Sequence, residues 1–546
     1  MTTPTAATMT GGEALVRALA AHGVDTVFGI PGTHNLAVFA AMPAHGIRNV
    51  TPRHEQGAGY AADGYSRASG RVGVVITTTG PAALNAAAAL AQANSDSVPT
   101  LLIAPGMPTG HPSHGNGLLH ELKNQRAVFS GLVTESHRVE SLQEIPGAVA
   151  QAFARMTAGR PRSEYLEVPL DLLDAVGEIT LVAPVPAPAP IMPAAAELDS
   201  ARVLLDGAER VLLVVGGGAR AATGEVQALA EKLGAGVATT TNGKGNFDER
   251  HPLALGAGLQ HPSIVAAAES ADAVIAVGTE FAPSDWWIGV PDCAAKLVRV
   301  DIDPAAVVTN ITPSVALVGD AAATLAALTE VVVERDRSGA SAAWFERALA
   351  GVREERAAEG ETWLAAMQSL AEALPDDAII AADNAMVAYY GALGQLQLSR
   401  PNAFMFPTGV GTLGFGLPAG IGAKLAQPDA PVVVIQGDGG IMFTVQELAT
   451  AAELGIALPV IISDNGGYGE IRNEMADRDE PIHSVALGGP DFVQLGQSLG
   501  CHGVRVDRDD QLGEAVREAL AADRPTVIHL REGGRAAADM LASRDA

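Results

Sequence analysis

The most chemically specific stretch of this 546-residue chain is VVVIQGDGGIMFTVQELATAAELGIALPVIISDNGGYGEI. The apolar run Pro431 to Gln436 reads as a buried strand that delivers Asp438 on the turn Gly437-Asp438-Gly439. Residues 440–463 intervene, and a second apolar run, Ala457 to Ser463, ends at Asp464-Asn465-Gly466-Gly467. Both turns fall at the carboxyl ends of strands, the edge at which open α/β sheets bind ligands. The Asp438 carboxylate, the Asn465 amide oxygen and the Gly467 carbonyl form a hard-oxygen set suited to Mg²⁺ or Ca²⁺. Three protein oxygens leave about three octahedral positions for phosphate oxygens and water. The Gly439 and Gly440 amides, with a helix start behind them, favour an anion. The chemistry expected is capture of a metal-chelated diphosphate. A lone GDG would read as a turn that merely ends a strand; the second turn at this spacing makes the set specific.

Three blocks of alternating strand and helix patterns must position such a site. In the first, residues 10–180, Glu13 to His22 and Glu55 to Ala68 read as helices and Val72 to Thr77 as a strand buried on both faces. Thr26 to Ile30 is a short apolar run ending in Pro31-Gly32, Pro81 to Asn94 reads as a helix, and Thr100 to Ala104 as another buried strand. A Pro- and Ala-rich stretch, residues 181–197, reads as an extended linker. The second block, 198–335, carries strands at Val211 to Val215, Ala273 to Val277 and Leu297 to Ile302. Its Gly216-Gly217-Gly218 turn invites a dinucleotide reading, but the GxGxxG order is missing, and glycine for tight strand-to-helix packing is the plainer account. The third block, 345–546, adds a strand Ala378 to Ala382 ending at Asp383 and a helix over Phe443 to Leu454. The fold class expected is α/β, with three doubly wound parallel-sheet domains.

Composition narrows the function. Lys+Arg 35 against Asp+Glu 62 gives a net charge of −27, which repels polyanions and argues against general nucleic-acid binding. Two distant cysteines, Cys293 and Cys501, exclude a disulfide scaffold and a cysteine zinc site. No run approaches a membrane span and the N-terminal residues lack a leader pattern, so a cytoplasmic protein is expected.

The GDG…DN segment resembles the thiamin-diphosphate fingerprint, with Asp464 in place of the family's first Asn and the metal-carrying Asn kept as Asn465. TPRHEQGAGYAADGYSR (51–67), ITTTGPAALN (76–85), TGVGTLGFGLPAGIGA (408–423) and DIDPAAVVTN (301–310) are similar to segments of the acetolactate synthase and pyruvate decarboxylase superfamily. The resemblance implies thiamin diphosphate and Mg²⁺ as cofactors. It maps the activating glutamate to Glu55, the bulky residue that bends the cofactor to Leu413, and the carbonyl that accepts its amino group to Gly411. Gly32, Gly80, Asn85, Asp383, Gly437, Gly439, Gly440 and Tyr468 are the further cofactor-binding candidates. Glu55 could equally be an acid favoured by a helix N-terminus. In the family the glutamate and the metal set meet across a subunit interface, which implies a homodimer or homotetramer with shared sites.

In the loop GNGLLHELKNQ (115–125), His120 resembles the second His of the decarboxylases' paired motif, with Leu119 at the first position, and His120 and Glu121 are catalytic candidates. A His with a pKa of about 6.5 can relay the final proton; the alternative is a loop His without substrate contact. Within the superfamily, GLLHELKNQ, AVGTEFAPSD (276–285) and DNGGYGEIRNEM (464–475) look most like 5-guanidino-2-oxopentanoate decarboxylases. The expected function is non-oxidative decarboxylation of a 2-oxo acid to an aldehyde. An acetolactate synthase-like carboligase is the alternative, and a catalytically silent cofactor-binding or regulatory subunit is an alternative of another class. TEFAPSDWW (279–287) does not match the stretch that accompanies FAD in acetolactate synthases, so FAD is not expected. Glu470 stands where those synthases usually carry an apolar residue. It either binds a cationic substrate tail or opens a helix, paired with Arg472.

Overall fold

The computed structural model describes residues 6–112, 115–186, 188–287, 289–335 and 338–532. Three six-stranded parallel sheets dominate, with a two-stranded antiparallel ribbon of Ala7–Thr10 and Val176–Ile179. The first sheet runs, in spatial order, Arg48–Val50, Thr26–Gly29, Gly73–Ile76, Thr100–Gly106, Glu164–Pro169, Glu135–Arg138. The second runs Ala254–Ala257, Gly236–Thr239, Val211–Val215, Ala273–Val277, Leu297–Asp301, Val315–Val318. The third runs Phe404–Met405, Ile379–Ala382, Val432–Gly437, Pro459–Asp464, Thr526–Arg531, His502–Val506. The fold is the expected α/β class.

Each sheet winds outward from its first strand, then restarts on that strand's other side. The reversal opens a crevice at the carboxyl ends of the two strands that flank it. In the first sheet the crevice lies between Gly29 and Ile76, and the following turns bring Gly32 and Gly80 to it. In the third it lies between Ala382 and Gly437, which brings Asp383 and Asp438 together. In the second it lies between Val215 and Val277. There a β-carbon on Gly216 would stand 2.3 Å from the Gly278 carbonyl, so these glycines serve a close backbone crossing.

Alternate residues of one strand enter different cores. Val211, Leu213 and Val215 pack on one face of their sheet, Leu212 and Val214 on the other. Ile379 and Ala381 likewise part from Ile380 and Ala382. Burial on both faces explains why these strands read as unbroken apolar runs.

Two expectations are corrected. The helix expected over Phe443 to Leu454 is only Glu447–Glu453. Residues 443–447 turn through bonds three residues apart, and the Thr444 hydroxyl donates to the Gly414 carbonyl at 2.7 Å, which holds the chain out of helical register. The linker is less free than its composition suggests: Ala195–Asp206 is helical, and the Ile191 carbonyl accepts the Asp320 N–H at 2.8 Å.

The first and third units meet where helix Glu55–Ser69 crosses helix Gly416–Ala426. A β-carbon on Gly422 would lie 1.9 Å from the Ala61 carbonyl oxygen, and one on Gly64 2.1 Å from that of Ala419. Gly422→Ala is therefore expected to force the helices apart, at a cost at the upper end of the roughly 1–3 kcal/mol usual for overpacking. Gly224→Ala, whose β-carbon meets nothing within 4 Å, should leave stability unchanged. Chemical unfolding followed by tryptophan fluorescence checks this; equal stability of the two variants would rule out so close a crossing.

Candidate active site

Asp438 opens the short helix Asp438–Ile441 and is 3% exposed. Burial, with Asp464 nearby, pushes its carboxyl up to about 7, against hydrogen bonds from the Asn465 and Gly439 N–H groups. Its Oδ1 is buried without a partner, and so is Oδ1 of Asn465. These are the two side-chain oxygens nominated from sequence for a cation. Among the described residues no cluster of three or more His, Cys, Asp or Glu could hold a metal. A cation here would rest on one carboxylate, one amide oxygen and the Gly467 carbonyl, a hard-oxygen set that fits Mg²⁺.

The surrounding turn is tightly built. A β-carbon on Gly439 would stand 2.9 Å from the Tyr468 ring, and one on Gly440 3.3 Å from Asp383 Oδ2 and 3.9 Å from Leu413. Leu413 thus lies against the GDG turn, on the segment whose Gly411 takes a left-handed φ of 69°. On the other side a β-carbon on Gly437 would stand 3.2 Å from Ala385. Gly467 bridges to Ala486, and the Tyr468 N–H donates to the Val485 carbonyl at 2.9 Å. Asp383 is fully buried, and its oxygens accept Gln436 Nε2 at 2.6 Å, the Gly414 N–H at 2.7 Å and the Asn384 N–H at 2.9 Å. It holds the turn that carries Leu413.

Asp464, the departure from the family pattern, has a local partner in His529. Its Oδ2 is 2.8 Å from His529 Nε2, and its Oδ1 accepts the Gly466 N–H at 3.1 Å. Burial opposes the charge, but these bonds hold its carboxyl below the usual range. Glu532, unsuspected from sequence, sits on the same edge and accepts the Ser463 hydroxyl at 2.6 Å; burial raises its pKa. The signal was positional: it directly follows Thr526–Arg531, a parallel strand of this sheet.

The first unit presents a separate edge. Glu55 is the first residue of its helix, and its Oε2 accepts Asn85 Nδ2 at 2.9 Å, so two predicted residues meet. The approach to Glu55 is held from the third unit by buried Glu447, whose carboxylate accepts the Arg53 and His54 N–H groups at 3.0 Å each. Gly32 donates its N–H to Asn35 Oδ1 at 2.8 Å. Gly80, with φ of 70°, donates to Gln125 Oε1 at 2.7 Å, and a β-carbon there would stand 2.3 Å from the His120 carbonyl oxygen.

His120 itself has a left-handed φ of 63°, unusual without glycine. Its ring stands edge-on to that of His34, 5.1 Å away. His34 was missed from sequence; the signal was its place two residues after Gly32, on the adjoining loop. Glu121, expected beside His120 as a catalytic group, instead ties its own loop. It accepts the N–H groups of Asn116, Gly117 and Leu118 and lies 3.0 Å from His111. Burial works against its charge, but those N–H groups and His111 bring its pKa below the usual value.

Glu470 opens helix Gly469–Asp477 and takes a 2.8 Å hydrogen bond from the Tyr390 hydroxyl on Oε1; its Oε2 is buried without a partner. Burial raises its pKa, with Glu474 and Asp477 adding to the effect against the Tyr390 bond. Tyr390 lies on a widened π-helical stretch, Val387–Ala392, stacked on Trp363 at 6.0 Å and edge-on to Tyr389 at 4.7 Å and Trp287 at 6.1 Å. Trp287 comes from the second unit and is 49% exposed. Glu359, pushed up to about 7 mainly by burial, adds its field to that of Glu470.

Three doubly wound units, two of them bearing the edges just described, define the class of enzymes that use thiamin diphosphate. The comparisons agree. The chain matches the thiamine pyrophosphate enzyme N-terminal TPP-binding domain over residues 9–128, the central domain over 198–328 and the C-terminal TPP-binding domain over 387–530. It belongs to the thiamine pyrophosphate enzyme family. It is 42% identical to a probable 2-ketoarginine decarboxylase of Pseudomonas aeruginosa, over 96% of this chain and 94% of that protein. It is 34% identical to the acetolactate synthase large subunit of Parasynechococcus marenigrum, over 96% and 88%. With the acetolactate synthase isozyme 2 large subunit of Escherichia coli it shares 32% identity, over 96% and 95%.

Gly80 is where the site's geometry is least forgiving. Gly80→Ala adds a β-carbon at a left-handed position and against the His120 carbonyl. Amide hydrogen exchange is expected to rise sharply across residues 115–125 and little in the third unit. Unchanged protection of that loop would mean that Gly80 does not seat it.

Proposed function

We propose that this enzyme is a thiamin-diphosphate- and Mg²⁺-dependent decarboxylase of a 2-oxo acid with a guanidino tail, releasing CO₂ and an aldehyde. The observation that carries the substrate reading is Glu470. Glu470 is half-buried, and its buried, unpartnered Oε2 is costly unless a cation completes it; a guanidinium can bond both its oxygens. Tyr390, which bonds Glu470, and Trp287, edge-on to Tyr390, are aromatic rings of the kind on which a guanidinium stacks. The 42% identity to a protein named for a 2-keto acid of arginine supports the same choice.

In this reading Asp438, Asn465 and Gly467 hold Mg²⁺ and, through it, the diphosphate, aided by the Gly439 and Gly440 amides. Leu413 would support the cofactor from the third unit, the Gly411 carbonyl would accept a hydrogen bond from it, and Glu55 would hold it from the first unit. When bound, the cofactor supplies an electron sink for the carbon that loses CO₂. Glu55 moves the activating proton, and Asn85 orients Glu55. His120 handles the proton that the product needs. FAD has no part in this reading, because TEFAPSDWW (279–287) does not match the stretch that accompanies it in acetolactate synthases. No helix among the described residues is long and apolar enough to cross a membrane. We place the enzyme in the cytoplasm as a homodimer or homotetramer of three-domain chains, with boundaries at 10–180, 198–335 and 345–546.

The resemblance to enzymes whose glutamate and metal set meet across a subunit interface supports a site completed by a second copy. Glu55→Gln should retain the cofactor and lose about a hundredfold or more in turnover. Asp438→Ala should lose Mg²⁺ and cofactor on dialysis. Mixing the two inactive proteins under conditions of subunit exchange should regenerate activity. No recovery despite exchange would count against the shared site.

Glu470→Gln should raise KM for 5-guanidino-2-oxopentanoate by about tenfold or more, equivalent to about 1.4 kcal/mol. A neutral 2-oxo acid of similar length should be used as well as before. If the unaltered enzyme turns over pyruvate or branched 2-oxo acids much faster than the guanidino acid, the substrate reading fails and carboligation of the acetolactate type takes its place.

A further inference from the structure

We infer that His34 is the functional partner of His120, the two imidazoles forming one proton-carrying unit assembled from separate loops. The inference rests on the decarboxylase reading and deepens it. His34 follows strand Thr26–Gly29, and His120 sits in the loop after Thr100–Gly106, over the Gly80 turn. The two rings meet edge-on with centroids 5.1 Å apart. Each has a buried Nδ1 without a hydrogen-bond partner. Two orphaned imidazole nitrogens at one spot are costly in a merely structural role. The left-handed backbone at His120 shows that the loop is held in a strained conformation that presents this ring, and strain of this kind persists where the surroundings enforce it. Burial and the neighbouring His120 both lower the pKa of His34, so a second positive charge beside His120 is disfavoured.

One proton is what the reaction requires. A 2-oxo acid anion plus one proton gives an aldehyde plus CO₂. The bond to the carboxylate carbon breaks and its electron pair stays on the former carbonyl carbon. A C–H bond then forms there with the proton carried by the histidine pair, which takes a replacement from solvent. His120 faces the reacting carbon in the proposed reading. His34 acts through it, as a positioning and proton-sharing residue. The adjacent position to His120 is Leu119, 61% exposed, so the second imidazole comes from a different strand end.

The test uses full-length enzyme loaded with thiamin diphosphate and Mg²⁺, and whichever 2-oxo acid it turns over best. Variants His34→Gln, His120→Gln and the double variant are compared for cofactor retention after gel filtration, KM, kcat and single-turnover yields of CO₂ and aldehyde. His34→Gln is expected to retain cofactor and KM, and to lower kcat at least tenfold. It should release CO₂ in a burst of about one per site, ahead of slow aldehyde. An added acceptor aldehyde should then capture more ligation product than in the unaltered enzyme. The double variant should be no worse than the worse single one, since the two share one task. Equal CO₂ and aldehyde rates in His34→Gln, or losses that multiply in the double variant, would overturn the pairing. If His34→Gln binds no cofactor, His34→Asn and His34→Phe decide: loss of cofactor in all three assigns His34 to structure and overturns the inference. Failure of the unaltered enzyme to release CO₂ from any 2-oxo acid would instead remove the decarboxylase reading, and this inference with it.

Discussion

One buried guanidinium ties the three units together. Arg67, 6% exposed, bonds Asp63 at 2.6 Å and Asp96 at 2.8 Å within the first unit, and reaches Asn242 of the second at 3.2 Å. Asn242 bonds Thr408 of the third at 2.6 Å, and Thr408 returns to Asp96 at 2.6 Å. Burial opposes the positive charge, but the two carboxylates outweigh it and keep Arg67 protonated. Breaking such a cluster at one partner costs several kcal/mol, because an uncompensated charge stays buried. The placement has a local consequence. Asp96 also accepts the Gly409 N–H at 2.9 Å, and Gln92 accepts that of Val410 at 3.0 Å. The segment leading to Gly411 and Leu413 therefore hangs from the first unit's helix Pro81–Ser95, while Asp383 secures its far end at Gly414. The placement of the segment through Gly411 and Leu413 in the third unit is thus set by the first.

The three crevices share one topology and differ in contents. In the first, glycine at 80 lets the His120 backbone approach, and polar side chains gather above it. In the third, glycines at 437, 439 and 440 keep the turn low and leave two oxygens orphaned at its rim. In the second, Gly216 and Gly278 close on each other. The same strand-end device thus yields three differently lined crevices, according to which side chains follow the turn.

Much of this was legible in the sequence, for physical reasons. Strands buried on both faces must be apolar throughout, so Val211–Val215 and Val432–Gly437 were plain within a residue or two. The GDG and DN turns were plain because their residue types have few other uses at that spacing. What stayed hidden depended on contacts between distant segments. Glu447 and Glu532 look like ordinary helix and strand-end acids until folding brings Arg53, His54 and Ser463 to them. His34 is a lone histidine in a loop until His120 stands beside it. Glu121 misled in the opposite way: its place beside His120 suggested chemistry, but three neighbouring N–H groups claim its oxygens first. The helix over Phe443 to Leu454 failed because Thr444 is tied to Gly414, a bond no local propensity reports.

The surroundings of Glu470 are built separately from the turns that carry Asp438 and Asn465. Glu470 lies five residues beyond Asn465, yet its partner Tyr390 comes from the stretch after the third unit's first strand, and Tyr390 is flanked by Tyr389, by Trp363 from before that strand and by Trp287 of the second unit. None of these aromatics is among the cation candidates Asp438, Asn465 and Gly467. Replacing the acid and its aromatic neighbours would change the charge accepted at the far end of a substrate without disturbing Asp438 or Asn465. The converse constraint is stricter. Trp287 reaches Tyr390 only if the second unit is correctly seated on the third, and that seating runs through Asn242, Thr408 and Arg67. A cationic tail would therefore be read by a surface that exists only once the buried guanidinium has locked the three units together.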